Sequence, residues 1–98
     1  MVIGTLRLDL LLGDVSSLKQ KRSVVRPVVA ELRRVFAVAA AETGDQELYR
    51  RAEIGVTCVS ADFAHCREVL DACERAVAER PELELLSARQ RLFDEEDL

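Results

Sequence analysis

The side chains most suited to chemistry lie in the run SSLKQKRSVVRPVVAELRR, residues 16–34. A serine at the start of a helix leaves backbone N–H groups facing outward, and cations beside them make an anion site. Lys19, Lys21, Arg22, Arg26 and Arg33 are the candidates for contacting a phosphate or an RNA backbone. At about 100° per residue, Lys19, Arg22, Arg26 and Arg33 gather on one side of this segment. Lys21 falls near the centre of the opposite, apolar side. Either the helix begins after it, or its stem lies along the core edge while the ammonium reaches out to water. The second candidate segment is AETGDQELYRRAE, residues 41–53, where Tyr49 is flanked by Arg50 and Arg51. A lone tyrosine there either stacks on a base or plugs the end of the fold.

Residues for covalent or metal chemistry do not assemble. His65 is the single histidine and neighbours Cys66, but adjacent helical residues do not face each other. Cys58, Cys66 and Cys73 fall on apolar faces and read as small core hydrophobes. Their number and spacing fit no closed zinc site and no iron–sulfur cluster. The pairs Glu82/Glu84 and Glu95/Glu96 read as solvated edge and tail. The expectation is a protein with no catalytic residues, no metal and no cofactor.

Elements must position the basic run, and the hydrophobic pattern gives them. Val2 to Leu12 alternates strictly, with Leu6, Leu8, Leu10 and Leu12 on one face, which predicts a half-buried strand. Leu18 to Phe36 carries an apolar stripe at helical spacing; Pro27 inside it predicts a kink, or a tight first turn before the helix proper. Ala37 to Thr43 is expected as a strand, Gln46 to Arg50 as a loop or one helical turn, and Ala52 to Ser60 as a strand. Phe63 to Val77 has one apolar helical face, capped by Ser60-Ala61-Asp62 and ended by Arg80-Pro81. Glu82 to Leu92 alternates only partially and reads as a last strand. The order βαββαβ implies a ferredoxin-like α+β sandwich of two layers, with two helices on one face of a four-stranded antiparallel sheet. Residues 1–92 form that single domain and 93–98 an acidic tail. The open sheet face carries Ile3, Thr5, Arg7, Asp9, Gly55, Thr57 and Val59, a mixture that is either wet or a partner surface.

Ninety-eight residues, 49% apolar and 33% charged, describe one small globular domain. No apolar run approaches the ~20 residues of a membrane span. No secretory leader is visible, and the odd cysteines point to a reducing compartment, so a cytoplasmic location is expected. The net charge of -4 equals that of Asp94, Glu95, Glu96 and Asp97 together, while residues 17–36 hold six Lys or Arg against Glu31 alone. A local basic stripe can engage phosphates on such a protein. Aromatic stacking on central strands, as in RNA-recognition sheets, is excluded, because Thr5, Arg7, Gly55 and Thr57 stand there.

The segments VIGTLRLDLLL, SLKQKRSVVRPVVAELRRVF and AETGDQELYRRAEIGVTCVS resemble the YlxP-like family of small bacterial proteins of unknown function, from Val2 to about Leu92. Ser17, Leu18, Lys19, Lys21 and Arg22 match its basic run. Glu42, Gly44, Arg51, Ala52, Glu53 and Gly55 match its hairpin. The resemblance implies a ferredoxin-like fold in a bacterial cytoplasm and brings no catalytic residues. Its genes commonly neighbour those for translation initiation factor two and ribosome-binding factor A. This chain departs in carrying Tyr49 in place of a tryptophan, and Pro27 within the first helix.

Two functions are expected from these observations. The first is a non-enzymatic module binding ribosomal RNA or a ribosome-associated protein through the basic helix face. The second is a homodimeric small-molecule or anion-binding protein, using the first βα turn or the open sheet face. A homodimer would form through that face or a sheet edge.

Overall fold

A computed structural model describes residues 1–98. The element order is β1 (Val2–Leu12), α1 (Leu18–Val35), β2 (Ala39–Gly44), β3 (Arg51–Ser60), α2 (Phe63–Ala78) and β4 (Leu83–Asp94), with a 3-10 turn at Glu95–Asp97. The strands form one antiparallel sheet in the order β2-β3-β1-β4, the expected ferredoxin-like arrangement. No helix is long and apolar enough to cross a membrane.

β1 is central because its pattern demands it. Leu6, Leu8, Leu10 and Leu12 are buried on the face that meets the helices. Each such side chain contributes roughly 1.5–3 kcal/mol of burial free energy. From β3 come Ala52, Ile54, Val56 and Cys58, and from the helices Val25, Val28, Leu32, Leu70 and Val77. α1 runs unbroken through Pro27, which sits on its exposed side. The carbonyl of Pro27 is approached by Arg80 Nη2 at 3.5 Å. Arg80 also forks to Glu31 at 2.9 Å and Glu82 at 2.7 Å, tying the end of α2 to α1.

The partial alternation of the last strand has a cause. The β1–β4 register shifts between Asp9 and Leu10: Asp9 pairs with Ser87 and Leu10 with Leu85. Leu86 is therefore an extra, bulged residue. Leu83 and Leu85 before it face the helices, whereas Ser87, Arg89, Arg91 and Phe93 after it face away. β4 also runs further than expected. Asp94 pairs with Val2, so the boundary placed after residue 92 falls inside a strand. The Glu95 N–H then donates to the Met1 carbonyl at 3.0 Å, and Asp94 caps the 3-10 turn. The acidic end is folded against the sheet rather than frayed.

Cys58, Cys66 and Cys73 are buried, as their positions imply. Cys58 and Cys66 share a thiol hydrogen bond at 3.0 Å. Burial, reinforced by that bond, pushes the Cys58 thiol up to about 12, and burial alone raises Cys73 to about 11. These groups stay protonated at neutral pH and are poor nucleophiles. Gly4 makes the room for them: a Cβ there would lie 2.4 Å from Cys66 Sγ and 2.8 Å from Leu70. Gly4→Ala is expected to lower stability by about 1–3 kcal/mol through overpacking, read as a drop in the urea midpoint. Unfolding returns the thiols to 9.0, so the unfolded chain loses thiol protons first and stability falls as pH climbs above that value. At pH 8, iodoacetamide is expected to label native protein far more slowly than urea-unfolded protein; equal rates would contradict the buried placement.

Candidate functional site

The helix start is capped by its own side chains. Ser17 Oγ accepts from the Gln20 N–H at 3.1 Å, and Ser16 N–H and Oγ both donate to Gln20 Oε1. Arg50 Nε donates to the carbonyls of Leu12 and Gly13 and closes the preceding turn. These contacts engage the Ser16 and Gln20 N–H groups and the Arg50 Nε, donors that an anion at this turn would otherwise meet.

Lys21 corrects the reading of the basic run. The helix begins before it, at Leu18, and the side chain is only 2% exposed. Its ammonium does not reach water. Nζ lies 3.0 Å from Glu42 Oε2 and donates to the Asp45 carbonyl at 2.5 Å. The Glu42 oxygen is buried and accepts no aligned hydrogen bond, so that contact is Coulombic. Asp45 turns its carbonyl inward with a left-handed backbone, φ 56°. Lys21 is thus a structural cation and is closed to an outside anion.

The hairpin that Lys21 grips is knit by the matching motif. Thr43 is the bulged residue of β2, because Glu42 pairs with Ile54 and Gly44 with Glu53. Its hydroxyl donates to Glu53 Oε2 at 2.7 Å. Gly44 leaves space for the Glu53 carboxylate, and Gly55 for the Thr43 side chain; a Cβ would approach to 2.9 Å and 2.7 Å respectively. Tyr49 is 49% exposed and plugs nothing. Arg51 is exposed at the start of β3, opposite Leu11.

The remaining arginines gather around β2. A hollow of about 480 Å³ between α1 and β2 is lined by Arg22, Arg26 and Arg33, by Val25, Val29 and Ala41, and by Glu42, which is paired with Lys21. A larger hollow, about 900 Å³, lies on the open sheet face. Small residues Thr5, Thr57, Ala39 and Ala41 floor it, and Arg7, Arg33, Arg89 and Arg91 surround it. Register explains the cluster: Arg7 pairs across with Arg89, and Thr5 with Arg91. Arg33 belongs to both hollows. Its Nε donates to the Ala40 carbonyl at 2.8 Å on the outer edge of β2, which leaves both terminal nitrogens free.

Of the residues singled out in the sequence, the structure therefore groups Arg22, Arg26 and Arg33. Lys19 is exposed but lines neither hollow. Arg89 and Arg91 are not apparent as site residues from the sequence, and Arg7 is expected on the open face but not as a contact. Their signal is parity with β1, which emerges only once Leu86 is taken out of phase. Few of these cations are already engaged. Arg7 lies 3.6 Å from Glu53, and Arg91 stacks over Phe93 at 4.8 Å. Asp9, also on this face, accepts from the Ser87 hydroxyl at 2.6 Å. His65 is exposed at the start of α2, and no three His, Cys, Asp or Glu side chains are grouped to hold a metal ion.

Residues 3–90 match the family model described as "Protein of unknown function (DUF503)". The chain is also 26% identical over 92 residues to the uncharacterized protein YlxP of Bacillus subtilis (strain 168), covering 94% of this chain and all of that protein. Both matches span the Lys21 clamp and the hairpin it holds. Removing one partner of a buried ion pair costs ~3–5 kcal/mol, and the partial hydration of Glu42 reduces this to about 2 kcal/mol for Lys21→Met. A matching shift of the urea midpoint checks it.

Proposed function

We propose that this chain, which belongs to the DUF503 family, is a non-enzymatic module that binds RNA through its phosphodiester backbone. The observation that carries this reading is the convergence of Arg7, Arg22, Arg26, Arg33, Arg89 and Arg91 on two hollows that meet at Arg33. Guanidinium groups fork to phosphate oxygens and are weakly hydrated, which makes arginine the residue for this contact. Like charges crowded on one surface repel, and a polyanion relieves that repulsion.

The same surface lacks stacking aromatics at its centre, where Thr5, Thr57 and Gly55 lie. Recognition therefore rests on phosphates and is tolerant of sequence. Ribosomal RNA, an abundant cytoplasmic polyanion, is the proposed partner. The hollow on the open face also supports a second reading, a small multivalent anion such as a nucleotide held among Arg7, Arg89 and Arg91.

Cosedimentation with bacterial ribosomal particles across a salt series tests the first reading. Binding is expected to weaken with a log–log slope of roughly −0.7 per phosphate contacted for single strands, about −3.5 for five contacts. The triple variant Arg22→Glu, Arg26→Glu, Arg33→Glu is expected to stay folded by circular dichroism and to lose retention at least ~10-fold. Undiminished retention in that variant overturns the proposal. Displacement of RNA by a nucleotide at equal phosphate concentration would favour the second reading.

A further inference from the structure

We infer that the RNA bound here is single-stranded and crosses the outer edge of β2 at Arg33. The inference rests on the RNA-backbone reading above and specifies the form of its ligand. One hollow opens between α1 and β2 on the helix side of the sheet, and the other on the opposite face. β2 is the edge strand between them. Arg33 starts from α1, reaches the Ala40 carbonyl on that edge, and lines both hollows. A strand that uses both must bend around the edge of the sheet.

The molecule is small for such a bend, with extents of 44, 23 and 20 Å. A smooth 40–90° bend of a DNA duplex is typically spread over a site of roughly 20–30 base pairs. At about 3.4 Å per pair, even the shorter length exceeds the longest axis of this protein. A single strand turns at each nucleotide and follows a narrow cationic track. Arg22 and Arg89 mark the two sides of the track, and neither makes a hydrogen bond or ion pair within the protein. Arg33, with its terminal nitrogens uncommitted, sits where the strand changes face.

The test measures binding of a labelled oligouridylate of twelve nucleotides and of a blunt RNA duplex of twelve base pairs, at matched salt. The single strand is expected to bind at least tenfold more tightly. Arg22→Glu and Arg89→Glu, on opposite sides of the edge, are each expected to weaken the same oligonucleotide by about tenfold, while a four-nucleotide oligomer responds to one of them only. Because both side chains are exposed and unpaired, these variants test the path without disturbing the Arg33 contact. Equal or tighter binding of the duplex overturns the inference and leaves the RNA reading intact. Sensitivity of the long oligomer to one side alone overturns the crossing. Absence of binding to either probe at low salt overturns the RNA reading itself and the inference with it.

Discussion

An ammonium group withdrawn from water must find opposite charge and acceptors close by. Lys21 finds both in the connection from β2 to β3, in the Glu42 carboxylate and the Asp45 carbonyl. The pairing does more than neutralise a buried charge. It fixes the first turns of α1 against the end of β2, and that sets the height at which the later turns of the helix pass the sheet edge. Arg33, three turns further on, meets the Ala40 carbonyl as a result. The arginine hollows on either side of β2 take their shape from this docking. The basic run is therefore divided in role: Lys21, which the helical wheel sets apart on the apolar side, builds, while Arg22 and Arg26 face outward.

The fold was legible in the sequence because the leucines of β1 and the apolar stripes of the helices each admit one periodicity. Cys58, Cys66 and Cys73 could be placed in the core for the same reason. The candidate surface was only half legible. Arg22, Arg26 and Arg33 follow from the helical wheel. Arg89 and Arg91 do not, because strict alternation counted from Leu83 sends them toward the core, and the bulge at Leu86 reverses that phase. Lys21 is visible as an anomaly, but its partners lie more than twenty residues away, and Gly44-Asp45 signals a turn without showing that the Asp45 carbonyl faces Lys21. Long-range register and a non-glycine residue with positive φ are both properties of the assembled sheet.

The charge of the chain also separates in space. Its total is negative, yet the face around β2 is rich in arginine, and the carboxylates there are engaged, Glu42 by Lys21, Glu53 by Thr43 and Arg7, and Asp9 by Ser87. The acidic stretch at the end of β4 is folded onto Met1. Of the arginines around the two hollows, only Arg7 has a carboxylate within ion-pair distance. The glycines of the hairpin serve this arrangement: with any larger side chain at Gly44 or Gly55, Thr43 and Glu53 would be forced apart.

An open sheet has two unpaired margins, and each is a template on which another copy could add a strand and start an aggregate. Here both margins carry obstacles. Along β2, Arg33 occupies the Ala40 carbonyl and Gln46 the Glu42 carbonyl, so two acceptors that an incoming strand needs are already taken. Along β4, the bulge at Leu86 breaks the straight ladder near one end of the strand. The residues that shape the arginine surface therefore also guard colloidal stability. Engineering that straightens β4 or removes Arg33 trades away solubility at high protein concentration, even where folding of the single chain is untouched.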